Sequence, residues 1–505
     1  MHTSYAATFI LCFFLTAAAH RQPMVVRALV APPPTGLNPR QTVDATGQRM
    51  GALWFSGLTR MSTELKPAPD LAKRWFFDPA KKTWTFEIDT SRLDHGGERI
   101  TPERLVTCLE NYRAGSPASA IASQLSHWTG TSVLRGNVVI SLTRNDPFFP
   151  QQVALLRYFR TDGQLQPCLE PASTDAIIGS GPYRPTRTSL ETLLSQETFR
   201  FDPIVEGPNA IELIFARDEN TRALLLLQGK ADVAYSTFNL SKTDWFRHHP
   251  PFGVVEQDGV NVSYLAFNTK RGPLQHAAVR RALASALDRD SYVKHRLFEF
   301  CTTAESFIHP ALGFGTETKR VKYDPAMAER ALDAAGWPRD SKGQRFELEY
   351  LSTPQIVGRE QALFVQHEFK KIGVTVTLRI RETGVFFSAL QSGAFDLHTS
   401  RWIGVSDPSI LRIAYGTREK RNRTFFSNTE IDRQITSMLE EHDPARRRIL
   451  FEAIETKLAE EQAYVPLWFW NNAMVIDQSR WSIAASDISR SSAFESLALL
   501  MRKQP

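Results

Sequence analysis

One stretch of the sequence constrains the fold more than any other. It runs from Tyr264 to Phe298 and reads YLAFNTKRGPLQHAAVRRALASALDRDSYVKHRLF. An apolar β segment opens the stretch and a Gly-Pro turn follows it. Val279, Leu283 and Leu287 then recur every four residues, which predicts a helix with one buried stripe. A strand, a turn and a helix in this order predict an α/β unit.

Two details of this unit are specific enough to be checked. Arg280 and Arg281 leave the apolar stripe, so both are expected to point into solvent. Asp288 or Asp290 is expected to cap a second helix that begins near Ser291.

Length and charge limit the classes of protein that are possible. A chain of 505 residues is too long for one average core, which predicts two to four lobes. The net charge is +6 and no dense run of Lys or Arg occurs, so a nucleic-acid partner is not indicated.

The N-terminus predicts export. Residues 1–19 contain no Lys, Arg, Asp or Glu, Tyr5 to Thr16 are mostly apolar, and Ala17-Ala18-Ala19 offers a cleavage site. We therefore expect residues 1–20 to be a signal peptide and the mature protein to be periplasmic. A retained membrane anchor is the alternative. Lipidation of Cys12 is not favoured, because the small residues of a lipobox do not precede it.

Cysteine and histidine patterns do not indicate metal binding or nucleophilic catalysis. Without the signal peptide, Cys108, Cys168 and Cys301 remain, which allows one disulfide at most and leaves one thiol free. His248-His249 precedes two prolines and is expected in a solvated loop. No G-x-S-x-G motif occurs, so we expect no metal, no cofactor and no enzymatic activity.

The rest of the chain alternates predicted strands and helices. Strands are expected at Met24–Val30, Trp84–Asp89, Ile211–Phe215 and Val374–Ile380. Helices are expected after Thr101-Pro102, Asp324-Pro325 and Asp443-Pro444, and at Thr221–Gln228 with Leu224 to Leu227 buried.

Several motifs together resemble one family. The chain carries, in order, FNTKRGPLQHAAVRRALASALDRD after a GSGPY turn at residues 179–183, then YDPAMAERALDAAGWP at residues 323–338, FKKIGVTVTL and LQSGAFDL. This order is similar to that of the extracellular solute-binding proteins of peptide-type ABC importers, family 5. The resemblance covers about Met24 to Trp470.

The resemblance implies an α/β fold of the periplasmic binding protein type II-like class. Two large α/β lobes are joined by a hinge, and a smaller third lobe is inserted in the first. The implied boundaries are the signal peptide 1–20, lobe I from 21–44, inserted lobe II from 45–172, lobe I again from 173–262, lobe III from 263–472, and a return to lobe I from 473–505.

The resemblance also implies a function. The protein is expected to capture a small solute, a peptide or peptide-like compound, in a cleft between the lobes and to deliver it, as a monomer, to an inner-membrane ABC permease. Alternatives are a secreted hydrolase that uses the cleft, the ligand-sensing domain of a regulator, and a binding protein for a non-peptide ligand such as a sugar or a metal chelate.

The candidate ligand site follows the strand around Leu397. The loop from Thr399 to Pro408 leaves the carboxyl end of a strand and carries Trp402, Arg401 and Asp407, which places it to face a cleft. The alternative is that Trp402 closes the core of its lobe.

The family motif in this loop is W-x-x-D-x-x-D-P, in which the Trp lines the pocket and, in peptide binders, the first Asp pairs with the α-amino group of the ligand. Trp402 and Asp407 match the motif, but Gly404 holds the position of the amine-binding Asp. A free α-amine would lose its charge-assisted partner there, and Arg401 could instead meet an acidic ligand. The expected ligand-binding residues are Trp402, Arg401, Asp407, Ser406, Gly404 and Asn268.

Overall fold

In the computed structural model the described residues are 24–503, apart from 31–32, 35, 123–124, 172–175, 187–197, 315–320 and 492. The predicted signal peptide and Cys12 lie outside the described residues. Within the described part of the chain, no helix has both the length and the apolar character needed to cross a membrane.

The strands alternate with helices, as the sequence predicts. The strands are β1 (Val25–Val30), β2 (Thr59–Met61), β3 (Pro67–Pro69), β4 (Ala72–Asp78), β5 (Thr83–Ile88), β6 (Trp128–Leu134), β7 (Asn137–Leu142), β8 (Arg160–Thr161), β9 (Ile177–Ile178), β10 (Tyr183–Pro185), β11 (Thr198–Pro203), β12 (Ala210–Phe215), β13 (Val233–Tyr235), β14 (Phe252–Phe267), β15 (Cys301–Thr303), β16 (Phe346–Ser352), β17 (Val374–Ile380), β18 (Leu397–Trp402), β19 (Tyr464–Asp477), β20 (Trp481–Ser482) and β21 (Met501–Arg502).

The α-helices within the described residues are α1 (Ala45–Trp54), α2 (Pro102–Ala114), α3 (Phe149–Val153), α4 (Glu219–Leu227), α5 (Leu240–Arg247), α6 (Ala277–Ser285), α7 (Arg289–Arg296), α8 (Pro325–Ala334), α9 (Ile356–Lys371), α10 (Thr383–Ser392), α11 (Ser409–Tyr415), α12 (Thr429–Glu440) and α13 (Pro444–Glu461). Short 3₁₀ turns occupy Gly272–Gln275, Pro310–Leu312, Ala485–Asp487 and Phe494–Leu499.

Two long strands join the halves of one large sheet. Its strand order is β10-β11-β12-β1-β13-β19-β14-β18-β16-β17, with β15 beside β19. β13 pairs with residues 474–476 of β19, whereas β18 pairs with residues 262–267 of β14. The antiparallel pair β14–β19 therefore passes from one half of the molecule into the other. A separate four-stranded sheet, β4-β5-β7-β6, lies with α2 in the N-terminal half.

The two crossing strands change register where they pass between the halves. The pairing of β14 with β19 is interrupted between Gln257 and Asn261. Gly259 lies in this interruption, and a Cβ there would come within 2.1 Å of the carbonyl oxygen of Trp470. A glycine is therefore required by the close approach of the two backbones.

The sheet separates two apolar cores in the C-terminal half. Leu265 and Phe267 point to one face and pack with α6 and α9, whereas Tyr264 and Ala266 point to the other face and pack with α11, α12 and α13. This alternation is the period of two that a sheet buried on both faces requires.

Most local predictions are confirmed. Thr101, Asp288, Asp324 and Asp443 cap their helices, and Val279 and Leu283 lie on the buried side of α6 as predicted. Leu287 is buried too, but it lies beyond α6, which ends at Ser285. Cys108 and Cys168 form the disulfide, and Cys301 is a buried free thiol.

Two predictions of exposure are wrong. Arg280 is buried, and its guanidinium donates to the carbonyl oxygens of Leu274 and Glu461. Apolar side chains could not supply hydrogen bonds to these two carbonyl oxygens. In α4, Leu226 alone of the predicted leucines is fully buried, while Leu224 and Leu227 are 54% and 46% exposed. A run of four leucines covers every side of a helix, so only part of it can face the sheet.

The lobe boundaries stay a prediction. α1, which begins at the predicted start of the inserted lobe, packs against β10 and against the turn Phe494–Leu499. The GSGPY turn lies against the end of α1, where the amides of Ser180 and Gly181 donate to the carbonyl oxygen of Trp54.

Candidate functional site

The predicted site residues Arg401 and Trp402 end strand β18 and point to opposite faces of the sheet, because successive strand residues alternate. The guanidinium of Arg401 lies 3.8 Å from the ring centre of Trp470. The ring of Trp402 instead stacks on Tyr264, with 5.4 Å between ring centres. The structure therefore does not bring these two side chains together.

Trp402 belongs to a row of apolar side chains across three strands. Val262 of β14 pairs with Trp402 on one side and with Phe469 of β19 on the other. The row lies just beyond the register break between the crossing strands. The Nε1 of Trp402 is buried and has no hydrogen-bond partner among the described residues. An indole donor without a partner can bind a ligand or a water.

His309 extends this row. Its ring packs edge-on against Phe469, with 4.8 Å between ring centres. Its Nδ1 accepts a hydrogen bond from the amide of Ala311 at 3.2 Å, which assigns the proton of the neutral ring to Nε2. Burial lowers the pKa of His309 below its usual value, so the ring is neutral near pH 7. We call Trp402, Val262, Phe469 and His309 the aromatic row.

The loop after Trp402 is held by its own hydrogen bonds. Gly404 has φ +67°, and its amide donates to Oδ1 of Asn261 in the crossing strand at 2.8 Å. Asp407 is buried and accepts from the amide of Ser409 at 2.8 Å and from the hydroxyl of Ser406 at 3.3 Å. Asp407 therefore fixes the start of α11, and burial raises the pKa of its carboxyl group.

Two positions in this loop can correspond to the amine-binding Asp of the family motif. Counted back from Asp407, the position of the amine-binding Asp is Gly404; counted forward from Trp402, it is Val405, which is buried and apolar. Neither position supplies a carboxylate to this loop.

Asn268 is placed away from the aromatic row and is 1% exposed. Its amide donates to the carbonyl oxygens of Gly393 and Phe395, and its Oδ1 accepts from the amide of Lys270. Because both ends of its side-chain amide hydrogen-bond with backbone groups, we do not include Asn268 in the proposed site.

Arg490 ties three segments together beside the register break. Its guanidinium pairs with Glu64 at 3.2 Å, in the turn between β2 and β3, and with Asp258 of the crossing strand at 3.4 Å. The same chain segment then leads to Glu495 in the turn Phe494–Leu499. Arg490 therefore joins the crossing strands to the N-terminal half.

Two arginines in the N-terminal half were not predicted from the sequence. Arg49 of α1 lies beside Phe494 and interacts electrostatically with Tyr235 at the carboxyl end of β13. Arg157 is buried and interacts electrostatically with Glu495 and Asp70. Neither guanidinium forms an ion pair with a carboxylate of the described residues. Arg49 lies near the carboxyl end of β13, a kind of position where ligands of α/β folds bind.

The charges around Glu495 are poorly compensated. Burial lowers the pKa of Arg49 and of Arg157, and it raises the pKa of Glu495. Oε2 of Glu495 is buried without a hydrogen-bond partner among the described residues. Asp70 also lies near Arg157, and burial raises the pKa of its carboxyl group too. A desolvated guanidinium group that lacks an ion pair can form charge-assisted hydrogen bonds with an anionic ligand.

A sequence signal for Arg157 was present but not specific. Gly51 lies inside α1, and a Cβ there would come within 2.1 Å of the Nη1 atom of Arg157. A glycine inside a helix indicates close packing, but the partner cannot be identified before the fold is known.

The described residues contain no group of three or more His, Cys, Asp or Glu side chains that could hold a metal ion. His248 and His249 follow α5 and are exposed, and the ring of His249 stacks on Trp245.

Two halves that share one sheet through two crossing strands, with a candidate site beside the crossing, define a two-lobed binding protein. The family described as "Bacterial extracellular solute-binding proteins, family 5 Middle" matches this chain over residues 66–421, which is more than half of its length. The chain belongs to this family, and it is the substrate-binding component of an ABC importer.

Similar proteins agree with this assignment. The chain is 25% identical over 476 residues to the nickel-binding periplasmic protein of Escherichia coli (strain K12), with 88% of each chain covered. It is 23% identical over 450 residues to the dipeptide-binding protein DppE of Bacillus subtilis (strain 168), covering 83% of this chain and 81% of that protein. NikA from Brucella suis, solved with Fe(III)-EDTA, superposes with a TM-score of 0.81 at 20% identity, covering 95% of this chain and 100% of that chain. The predicted fold class is thereby confirmed.

Proposed function

We propose that the protein captures a small acidic solute, a peptide-like compound or a metal chelate, between its lobes and delivers it to a permease. The observation that carries the proposal is that Arg49 and Arg157 are desolvated guanidinium groups and that neither forms an ion pair with a carboxylate of the described residues. Guanidinium groups bind carboxylates with paired, charge-assisted hydrogen bonds.

The aromatic row supplies the other half of the proposed site. Trp402 offers a ring face and a free indole N–H, and His309 offers a second donor from a neutral ring. Flat, rigid side chains bury ligand surface at a small cost in conformational entropy. Closure of the hinge at the register break of β14 and β19 would bring this row toward the two arginines.

The absence of a carboxylate at Gly404 and Val405 argues against a ligand whose recognition depends on a free α-amine. The relatives allow both remaining ligand classes, since one is named for dipeptides and another was solved with Fe(III)-EDTA. A peptide carboxylate and a polycarboxylate chelate present the same anionic group to an arginine pair.

We further propose that the protein acts as a monomer in the periplasm. The nickel-binding relative is named as periplasmic. The disulfide Cys108–Cys168 supports this location, because disulfides persist in oxidising compartments.

Isothermal titration with a panel of solutes tests the proposal. The panel comprises Fe(III)-EDTA, nickel with L-histidine, glutathione and a neutral disaccharide. We expect binding of an anionic member, and we expect Arg49→Gln to weaken it about 10- to 100-fold. Arg446→Gln, at an exposed position of α13, should leave the affinity unchanged.

Binding of the disaccharide alone, or equal affinity in the Arg49 variant and the wild type, would contradict an acidic ligand. Mass spectrometry of the solute after incubation distinguishes binding from hydrolysis, since a binding protein returns it unchanged.

A further inference from the structure

A small cavity with polar and apolar lining lies inside the C-terminal half. One of its lining residues is Phe307, whose ring lies edge-on to that of Trp402 at 6.4 Å between ring centres. The cavity has a volume of about 40 Å³ and is enclosed by α11, α13, the start of β19 and the segment after β15. That volume exceeds the room that one water molecule needs, about 10–15 Å³ in the same measure. Its polar lining includes Ser306, Tyr415, Glu455 and Gln462.

The lining presents one side-chain oxygen atom without a hydrogen-bond partner and one carboxyl group without an ion pair among the described residues. Gln462 is 3% exposed, and its Nε2 donates to the carbonyl oxygen of Tyr464 at 2.8 Å. Its Oε1 is buried and has no partner among the described residues. Glu455 is 7% exposed and forms no ion pair with a described residue, although it hydrogen-bonds with Ser306. An uncompensated buried carboxylate must be neutralised by a proton or by a bound cation.

The donor set selects the kind of cation. A carboxylate, an amide oxygen and two hydroxyl groups are hard oxygen ligands, which suit alkali and alkaline-earth ions rather than transition metals. A single unpaired carboxylate balances one positive charge and would leave a divalent ion uncompensated.

We propose that this cavity is an internal site for one monovalent alkali cation, Na⁺ or K⁺, held by the Glu455 carboxylate and the Gln462 side-chain oxygen, with the hydroxyl groups of Ser306 and Tyr415 beside it. The role of this site is to stabilise the C-terminal lobe.

A proton competes with the cation at this site. Burial raises the pKa of Glu455 to about 7, so the carboxyl group is protonated in mildly acidic solution when no cation is bound. Arg289 and Glu305 also line the cavity, and they form an ion pair with each other at 3.6 Å, so their charges offset one another. Cation binding is therefore expected to strengthen as the pH rises above 7.

Thermal unfolding of the full chain in three chloride salts tests the proposal. At equal ionic strength and about pH 8, we expect the midpoint temperature to be about 1–2 °C higher in sodium or potassium chloride than in choline chloride. The difference should shrink at about pH 6. Glu455→Gln should abolish it, whereas Glu460→Gln, at an exposed position of the same helix, should retain it.

Equal midpoints in all three salts, or a difference that persists in Glu455→Gln, would overturn the proposal. A direct readout does not depend on that variant folding. In crystals grown with rubidium chloride at about pH 8, we expect an anomalous scattering peak beside Glu455 and Gln462. Density for water alone at that position would refute the cation site.

Discussion

Replacement of His398 by phenylalanine is predicted to make the protein more resistant to acid. His398 is fully buried in the C-terminal half, among the rings of Tyr264, Phe386 and Phe395. Neither ring nitrogen has a hydrogen-bond partner among the described residues. Burial, together with the nearby positive charge of Arg423, lowers the pKa of His398 to about 3.

The size of the effect follows from the two pKa values. In the unfolded chain the imidazole takes up a proton near pH 6.5, whereas in the folded chain it stays neutral down to about pH 3. Proton uptake by the unfolded chain therefore does not reduce the free energy of unfolding above pH 6.5. As the pH falls from 6.5 toward 3, this uptake lowers the free energy of unfolding progressively. Between about pH 7.5 and 5, this linkage lowers the free energy of unfolding by about 2 kcal/mol.

The variant His398→Phe lacks this proton uptake and also removes two unsatisfied nitrogens, so at neutral pH it should be as stable as the wild type or more stable. Urea unfolding followed by circular dichroism at about pH 7.5 and 5 measures the difference between the two proteins. Contributions of other groups, such as Glu455, occur in both proteins and cancel.

His367→Phe is the matched control, because the side chain of His367 is 72% exposed on α9. That variant should follow the wild-type pH dependence. If His398→Phe loses as much stability as the wild type between these pH values, then the imidazole is protonated in the folded state and the reasoning fails.

Three further predictions concern closure, stability and a residue assigned to the site from its sequence. Phe148 of the N-terminal half packs into the C-terminal core beside Phe314, with Arg447 over its ring, so Phe148→Ala should enlarge the radius of gyration in small-angle scattering; an unchanged radius would refute its role in holding the halves together. Loss of the Cys108–Cys168 disulfide, which spans 60 residues, should lower the free energy of unfolding by about 4 kcal/mol in urea titrations, and a change below about 1 kcal/mol would contradict this. Asn268→Ala should cost about 1–3 kcal/mol of stability without changing solute affinity, since its amide satisfies backbone carbonyls; a loss of affinity at unchanged stability would return it to the site.

Elements with local causes could be predicted from the sequence. Two helices start at a capping side chain followed by a proline, Thr101-Pro102 and Asp324-Pro325. Proline has no backbone N–H, and at the first position of a helix that N–H would have no partner within the helix. Val279 and Leu283 are buried on one side of α6 because their spacing matches the helical period.

Features that depend on distant partners could not be predicted in this way. The position of Arg280 on its helix predicts that it points into solvent. In the structure, its guanidinium instead donates to the carbonyl oxygen of Glu461, which is distant in sequence. Nothing in the sequence distinguishes Arg49 and Arg157 from surface charges. Only the folded chain brings Arg157 to Glu495 and Arg49 to Tyr235.

Of the residues in the proposed site, the sequence motif indicates Trp402, and no motif indicates Arg49 or Arg157. Trp402 and Arg401 are neighbours in strand β18, so their side chains point to opposite faces of the sheet. Whether Trp402 faces a cleft or completes a core depends on the neighbouring strands β14 and β19, whose pairing is not readable from the loop itself.

A crystal structure of the protein with its co-purified or titrated solute tests the central claim most directly. We expect an anionic group of the solute within hydrogen-bond distance of Arg49 or Arg157, and solute surface against the ring of Trp402. A solute that presents only neutral or cationic groups to these arginines, or one that binds outside the cleft, would contradict the account.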